Sequence, residues 1–321
     1  MSAMIIHPSS VVAAMPENGK PRPFWSVMIP TYRPDENYLR QTLESVLQQD
    51  PGSGQMQIEV VDDASPDVDV AALVKAIGGD RVAFSATPKN LGLAGCWNTC
   101  IERARGEWVH ILHQDDYVLP GFYSRLSAAA ANHPEVGLLG SRCFFVDAQG
   151  ISSGLTARVM ELEAGGKSVE SFFYAAPLQC PGVVVRRRVY EQVGGFRQDL
   201  IFTLDNEMWV RVISSAGGLV LPEILACYRV SGSNETSRLH RTAASLRDLD
   251  RMYQLFAGRY PAFAPEKARS QQSANGRQFA ERYEALNDHE AARANWAYWR
   301  QITPFKLRLR HHLASLVRKI I

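Results

Sequence analysis

From Phe24 onward, short apolar runs alternate with longer stretches of helical periodicity, which confines the chain to strand–helix units stacked on a mainly parallel sheet. Trp25 to Ile29 reads as the first strand and stops at Pro30, and Leu39, Leu43, Val46 and Leu47 follow at helical spacing. Ile58 to Val61 and Val82 to Ser85 read as further strands, with a helix carrying Val70, Leu73, Val74 and Ile77 between them. A helix over Leu93 to Arg105 is closed by Gly106, and a fourth strand, Trp108 to Leu112, runs straight into His113-Gln114-Asp115-Asp116. The middle is less regular, with an apolar run at Val183 to Val185 and a helix carrying Met208, Trp209 and Val212 after Asp205. Beyond Ser237 the pattern is all-helical. The expected organisation is a flexible tail over 1–22, an α/β domain over 23–236 and a helical C-terminal region over 237–321.

Open sheets of this kind leave a ligand crevice at the carboxyl ends of their strands. Three polar clusters fall there: Pro30-Thr31-Tyr32, Asp62-Asp63-Ala64-Ser65 and Gln114-Asp115-Asp116. Two adjacent carboxylates at the end of an apolar strand repel each other and resist desolvation, and a hard divalent cation relieves both problems. Oxygen ligands suit Mn2+ or Mg2+, which bind through one or two carboxylates together with substrate phosphates. For an isolated Asp-Asp pair an Asx turn or a helix N-cap is the commoner account. Asp62-Asp63-Ala64-Ser65 has a similar ambiguity, between a helix cap and an acceptor for a base N–H. Tyr32 is a stacking platform for a base or a plain surface aromatic. The loop Lys89 to Gly95, with Asn90 in it, offers backbone N–H groups to phosphate but lacks the pattern of a triphosphate-binding P-loop.

Composition narrows the class. At 321 residues, 46% hydrophobic and 21% charged, the chain is neither disordered nor fibrous. Its five cysteines form no CxxC pair, so reduced, buried thiols are expected rather than a zinc knuckle or a disulfide framework. The weakly apolar stretch Met4 to Met15 is broken by His7 and Pro8 and follows no basic region, and no window approaches the roughly 18 apolar residues of a membrane span. A cytoplasmic protein is expected. Charge is unevenly divided: Thr236 to Ile321 holds 16 Lys and Arg against 7 Asp and Glu, and the remainder holds 19 against 26. An acidic body argues against nucleic acid as a partner, and a basic tail suits an anionic surface.

Taken jointly and in order, these motifs resemble family 2 glycosyltransferases, inverting enzymes of the GT-A fold, a Rossmann-like nucleotide-binding α/β architecture. The resemblance runs from about Phe24 to Ser237. Its elements are Ser26 to Tyr32, Leu43, Ser45, Val46 and Gln49, then Val60 to Asp67, Asn90, Gly92, Asn98, Ala104 to Trp108, and Asp115-Asp116 with Pro120 after it. It implies that Pro30, Thr31, Tyr32, Asp63 and Asn90 hold the donor nucleotide, with Asp63 facing the base. It places Asp115 near the ribose and sugar and makes Asp116 the ligand of Mn2+ or Mg2+. His113 stands where the family often has another Asp, and a packed strand-end histidine is expected. Leu204 to Arg211 resembles the base-bearing segment, in which spacing from Trp209 and Arg211 makes Asp205 the general base, with Glu207 in reserve; Asp205 is also a fitting N-cap. A histidine common near the end of that domain is not obvious here, and Asn234 and His240 are the substitutes considered for the metal shell.

The implied reaction moves a sugar from a nucleotide-sugar donor, a UDP-sugar in the favoured version, to a hydroxyl of a glycan, lipid-linked or protein acceptor. A sugar-phosphate nucleotidyltransferase and a non-catalytic glycan-binding relative are the rivals; the first lacks its triphosphate loop after the first strand, and the second does not explain the retained acids. Oligomeric state is not readable. From Pro304 on, Phe305, Leu309, Leu313, Leu316 and Ile320 fall within an arc of about 80°, flanked by basic residues, which fits peripheral docking on an anionic membrane as well as packing on the protein itself. Equal binding to anionic vesicles by a chain lacking residues 304–321 would end the docking reading.

Overall fold

The computed structural model describes residues 11–15, 21–159, 161–164, 167–231 and 235–309. The chain divides into two compact units, one of residues 1–199 and 204–230 and one of residues 200–203 and 231–321.

In the first unit, β1 (Trp25–Thr31), α1 (Glu36–Leu47), β2 (Met56–Asp62), α2 (Val70–Gly78), β3 (Ala83–Ala86), α3 (Gly92–Arg103) and β4 (Trp108–Ile111) follow the alternation read from the sequence. Next come β5 (Tyr117–Val118), α4 (Phe122–Asn132), β6 (Leu138–Val146), β7 (Ser152–Leu155), β8 (Glu161–Leu162), β9 (Val183–Arg186), α5 (Arg187–Val193), α6 (Leu204–Ala216) and β10 (Gly218–Arg229). The sheet order is β3-β2-β1-β4-β9-β6-β10-β5, with β7 on β6 and β8 on β10. The first four strands are mutually parallel. β9 is inserted antiparallel between β4 and β6, while β6 and β10 run parallel, so the second half is mixed.

β1 and β2 are buried along their whole length, as strands covered on both faces must be. Leu39, Leu43 and Val46 of α1 and Val70 and Val74 of α2 pack with Val27, Ile29, Ile58 and Val60 in the main core. α1 is capped by Asp35, whose carboxylate accepts from Asn37 N–H and Tyr38 N–H, and α2 by Asp69. α3 has no side-chain cap from Leu91, and N–H groups at its start are met by Asp63, just past β2, as described below.

All five cysteines are free and buried. Val11 to Met15, expected within a flexible tail, is docked: Val12 is buried, the Ala13 carbonyl lies 3.4 Å from an Arg187 Nη1 donor, and Met15 N–H donates to Glu191.

The second unit is helical: α7 (Glu235–Arg241), α8 (Ala244–Arg259), α9 (Pro265–Ala285) and α10 (His289–Ile302). Its interior includes a polar knot in which Tyr298 O–H donates to Asp250 (2.7 Å) and Gln272 Nε2 donates to the Leu246 carbonyl (2.8 Å). No helix among the described residues is long and apolar enough to cross a membrane. The C-terminal amphipathic stripe lies mostly outside the described residues; Phe305 and Leu309, within them, are exposed.

Candidate active site

β4 ends at Ile111, and the chain folds into a tight turn in which Asp116 N–H donates to the His113 carbonyl (3.2 Å). Helix α1 grips this turn: Thr42 Oγ1 donates to the Asp116 carbonyl (2.7 Å), and Ser45 Oγ accepts from Val118 N–H (3.2 Å). The result brings one ligand atom each of His113, Asp115 and Asp116 within 4.8 Å of one another. Asp116 is 1% exposed. Its Oδ1 accepts from Arg229 N–H (2.8 Å), whereas its Oδ2 has no hydrogen-bond donor and lies 3.3 Å from His113 Nδ1. His113 Nε2 is buried without a partner as well, and the ring stacks on Trp97 at 4.8 Å. A buried carboxylate oxygen with no donor is unfavourable unless a cation approaches it. Two carboxylates beside an imidazole fit such an ion, Mn2+ through all three groups or Mg2+ through the carboxylates.

Asp205 shares this neighbourhood. Burial opposes charge on His113, yet Asp116, Asp115 and Asp205 together outweigh it and hold the imidazole pKa above its ordinary value. Cys180 likewise feels both Asp205 and Asp116, which add to the effect of burial in raising its thiol pKa. The acids of the β4 turn and of α6, far apart in sequence, therefore act on the same side chains. Burial, and next the Asp116 charge, push the Asp115 pKa up to about 6, with His113 and Arg229 acting against them. Burial also raises the Asp205 pKa, opposed by the Asn206 N–H, His113 and the Cys180 thiol.

Asp205 lies in the first turn of α6 rather than at its N-cap, because the helix already starts at Leu204. Its Oδ1 accepts from Asn206 N–H (2.7 Å), and its Oδ2 lies 3.9 Å from the Cys180 thiol donor. Cys180 is itself held in place. His110 Nε2–H donates to the Pro181 carbonyl (3.1 Å), which can only accept, so Nδ1 takes the Tyr123 O–H (3.1 Å), and burial lowers the His110 pKa to about 3, keeping the ring neutral. Glu207, the reserve base, is consumed by structure: both its oxygens accept from Arg211 at 2.8–3.0 Å, and the same guanidinium donates to the Val193 and Gly195 carbonyls. Breaking such a buried pair leaves an uncompensated charge, a loss of about 3–5 kcal/mol. At Gly195 a Cβ would lie 2.4 Å from Asn98 Oδ1; this close approach lets the Asn98 amide take both the Phe196 N–H and carbonyl and tie the turn to α3.

The other sequence-derived residues line the ends of β1 and β2. Pro30 and Thr31 close β1, and Thr31 Oγ1 donates to Asp62 Oδ1 (3.1 Å). Tyr32 is 41% exposed, and its backbone is clamped by Gln114, which accepts from the N–H (2.8 Å) and donates to the carbonyl (3.2 Å). Asp63 is 3% exposed and caps α3: its carboxylate accepts from Leu91 N–H, Gly92 N–H and Thr87 Oγ1. The capping reading thus describes what Asp63 does within the chain, though for the helix after β3 rather than the one after β2. Asn90 donates to the Asp63 carbonyl and accepts from Gly92 N–H, which shapes the same loop. Asn234 lies outside the described residues. His240 belongs to the second unit, where its Nδ1 meets Ser245 Oγ and its ring packs on Phe202 and Phe279.

Two contributors were not assigned to the acidic site by the sequence, although Tyr228-Arg229 resembles the closing end of the family's domain. Arg229 is 2% exposed, and its Nε donates to the Asp115 carbonyl (2.9 Å) while its guanidinium lies over the Tyr38 ring at 4.2 Å, so the end of β10 locks the acidic turn. Cys180 carried no signal beyond being a cysteine. The position of His113 beside two acids at a strand end was the one cue that an imidazole joins the cluster.

Comparison with known proteins agrees with this architecture. Residues 26–193, just over half of the chain, match the family described as Glycosyl transferase family 2; the match includes Asp63, Asp115 and Asp116 and ends before Asp205. An uncharacterised protein of Mycobacterium tuberculosis is 28% identical over 258 residues, covering 76% of this chain and 77% of its own. An uncharacterised glycosyltransferase of Methanocaldococcus jannaschii is 24% identical, covering 68% and 76%. Among solved structures, Staphylococcus aureus TarS 1–349 in complex with UDP-GlcNAc superposes with a TM-score of 0.56 at 17% identity over 88% of this chain and 93% of its own. A mannosyltransferase of Pyrobaculum calidifontis in complex with GDP-Man and Mn2+ superposes at 0.54 and 18% identity, over 96% and 83%. The fold is therefore the α/β GT-A type with a helical C-terminal region, and the chain belongs to glycosyltransferase family 2.

Proposed function

We propose that this chain is an inverting, metal-dependent transferase that moves a sugar from a nucleoside-diphosphate sugar, a UDP-sugar, to an acceptor hydroxyl. The observation that carries this reading is the buried, donorless Oδ2 of Asp116 beside His113, in a site that Asp205 also influences. Family membership and a neighbouring fold seen with a nucleotide sugar and Mn2+ support it. Asp116, with His113 and Asp115 next to it, would hold Mn2+ or Mg2+, which when bound would supply charge neutralisation for the departing diphosphate. Tyr32, at the exposed end of β1, offers its ring to the base, and the rim formed by Thr31, Asp63 and Asn90 borders the nucleotide.

Asp205 takes the proton of the acceptor hydroxyl as the acceptor oxygen bonds the anomeric carbon and the bond from that carbon to the diphosphate oxygen breaks on the opposite face. A single displacement inverts the centre. The partial burial that raises the Asp205 pKa makes it a stronger base than a solvated aspartate. The test is release of nucleoside diphosphate from UDP-glucose, UDP-GlcNAc and GDP-mannose, with and without Mn2+, alongside thermal shift. No turnover and no stabilisation by any nucleotide sugar would overturn the reading.

A pH dependence follows from the same carboxylate. Asp205 must be ionised to act, so turnover is present above its raised pKa and is lost as pH falls through it, placing the acid limb above the ordinary aspartate value of about 4. The Cys180 thiol favours the charged form, so Cys180→Ala is expected to move the acid limb further up. An unmoved pH–rate profile in that variant would contradict the contact.

A further inference from the structure

We propose that Asp248 is a positioning residue for the candidate base: from α8 it fixes the residues that lead directly into the helix carrying Asp205. The inference rests on the reading of Asp205 as base. Asp248 is 5% exposed, and its carboxylate accepts four hydrogen bonds from one short segment. Ile201 N–H donates to Oδ1 (3.1 Å), while Phe202 N–H (2.9 Å), Thr203 N–H (2.8 Å) and Thr203 Oγ1 (2.8 Å) all donate to Oδ2. Three consecutive backbone donors and a hydroxyl converging on one buried carboxylate form a charge-assisted clamp, which holds its partners more rigidly than neutral bonds do.

The place of this clamp in the chain gives it a consequence for Asp205. Residues 200–203 belong to the helical unit, yet Thr203 is followed at once by Leu204, the first residue of α6, and then by Asp205. The helix has no side-chain cap at its start from Asp205, whose carboxylate accepts from Asn206 N–H and the Cys180 thiol instead. The N–H groups of residues 201–203, just ahead of α6, are satisfied by Asp248, 45 to 47 positions downstream. An error of one ångström in a reacting group lowers turnover by roughly 10²-fold, so a residue that sets the backbone two positions before the base acts on kcat without touching the donor.

The test compares the full-length chain with Asp248→Asn, Asp248→Glu, Thr203→Val and Asp205→Asn, using Mn2+ and whichever of UDP-glucose, UDP-GlcNAc and GDP-mannose the wild type turns over fastest, with UDP plus Mn2+ as the binding probe. Asp248→Asn keeps the shape but turns an amide N–H2 toward backbone donors; it is expected to lower kcat by about 10- to 100-fold, with donor KM and UDP binding within about twofold of wild type. Asp248→Glu is expected to recover most of the loss. Thr203→Val removes one donor and leaves three, and it is expected to lower kcat a few-fold in the same pattern, which decides the matter should Asp248→Asn fail to fold. Wild-type kcat in Thr203→Val and in any folded Asp248→Asn, where Asp205→Asn is inactive, would overturn the inference. So would losses in which kcat and melting temperature fall while KM rises, without recovery by Glu. Full turnover in Asp205→Asn would remove the base and the inference with it.

Discussion

Asp205→Asn is expected to bind the nucleotide donor as the wild type does and to lose transfer, with kcat down by roughly 10²–10⁴-fold, the usual contribution of a positioned general base. The amide keeps the size of the carboxylate and can still accept from Asn206 N–H through its oxygen, so α6 should start where it does now. It cannot take a proton from the acceptor. Thermal shift with UDP and Mn2+ checks donor binding, and nucleoside diphosphate release checks turnover. A fully active variant would refute the base assignment, and Glu207 offers no substitute, because both its oxygens are committed to Arg211.

Asp116→Ala is expected to abolish the Mn2+-dependent part of donor binding and to lower turnover at least as far as the loss of Asp205. The orphaned Oδ2 is the atom that a cation would meet, but Oδ1 also accepts the Arg229 N–H in a buried position. Leaving that N–H without an acceptor destabilises the fold by about 1–3 kcal/mol, so Ala alone mixes two effects. Asp116→Asn separates them: its oxygen can serve Arg229 N–H while the charge is gone, so stability should recover while metal dependence stays lost. The measurement is UDP affinity across a Mn2+ titration, read beside the melting temperature. Donor binding in Asp116→Asn that still strengthens with Mn2+ as in wild type would sink the metal assignment.

Both experiments bear on one electrostatic arrangement. Asp115, Asp116 and Asp205 bring negative charge to a partly buried place, and His113 is drawn toward its charged form by all three. Burial, and after it the Asp116 charge, raise the Asp115 pKa against the pull of His113 and Arg229. A cation and an anionic diphosphate would complete the set, which is why the site reads as a binding site and not as an internal salt bridge.

Much of this was legible from residue order because strand–helix alternation is a local property. Apolar spacing over a few residues marks which face of α1 or α2 meets the sheet, and a polar cluster after each apolar run marks the crevice at the strand ends. The α/β class, the helical C-terminal region and the family followed from such short-range patterns taken in order. The second half of the sheet was less visible: β9 enters between β4 and β6 by antiparallel pairing, and nothing in Val183 to Val185 announces a direction.

The sequence by itself determined the first four strands, the helices that cover them and the acids at their ends, because those depend on neighbours within a turn or two of the chain. Only the tertiary structure decided what each acid does, because that depends on donors brought from far away. Asp63 meets α3 instead of α2, Arg229 closes over the acidic turn from 113 positions downstream, and Asp248 secures the entrance to α6. A buried carboxylate takes whichever N–H groups packing delivers to it, and packing is a property of the folded core and not of residue spacing.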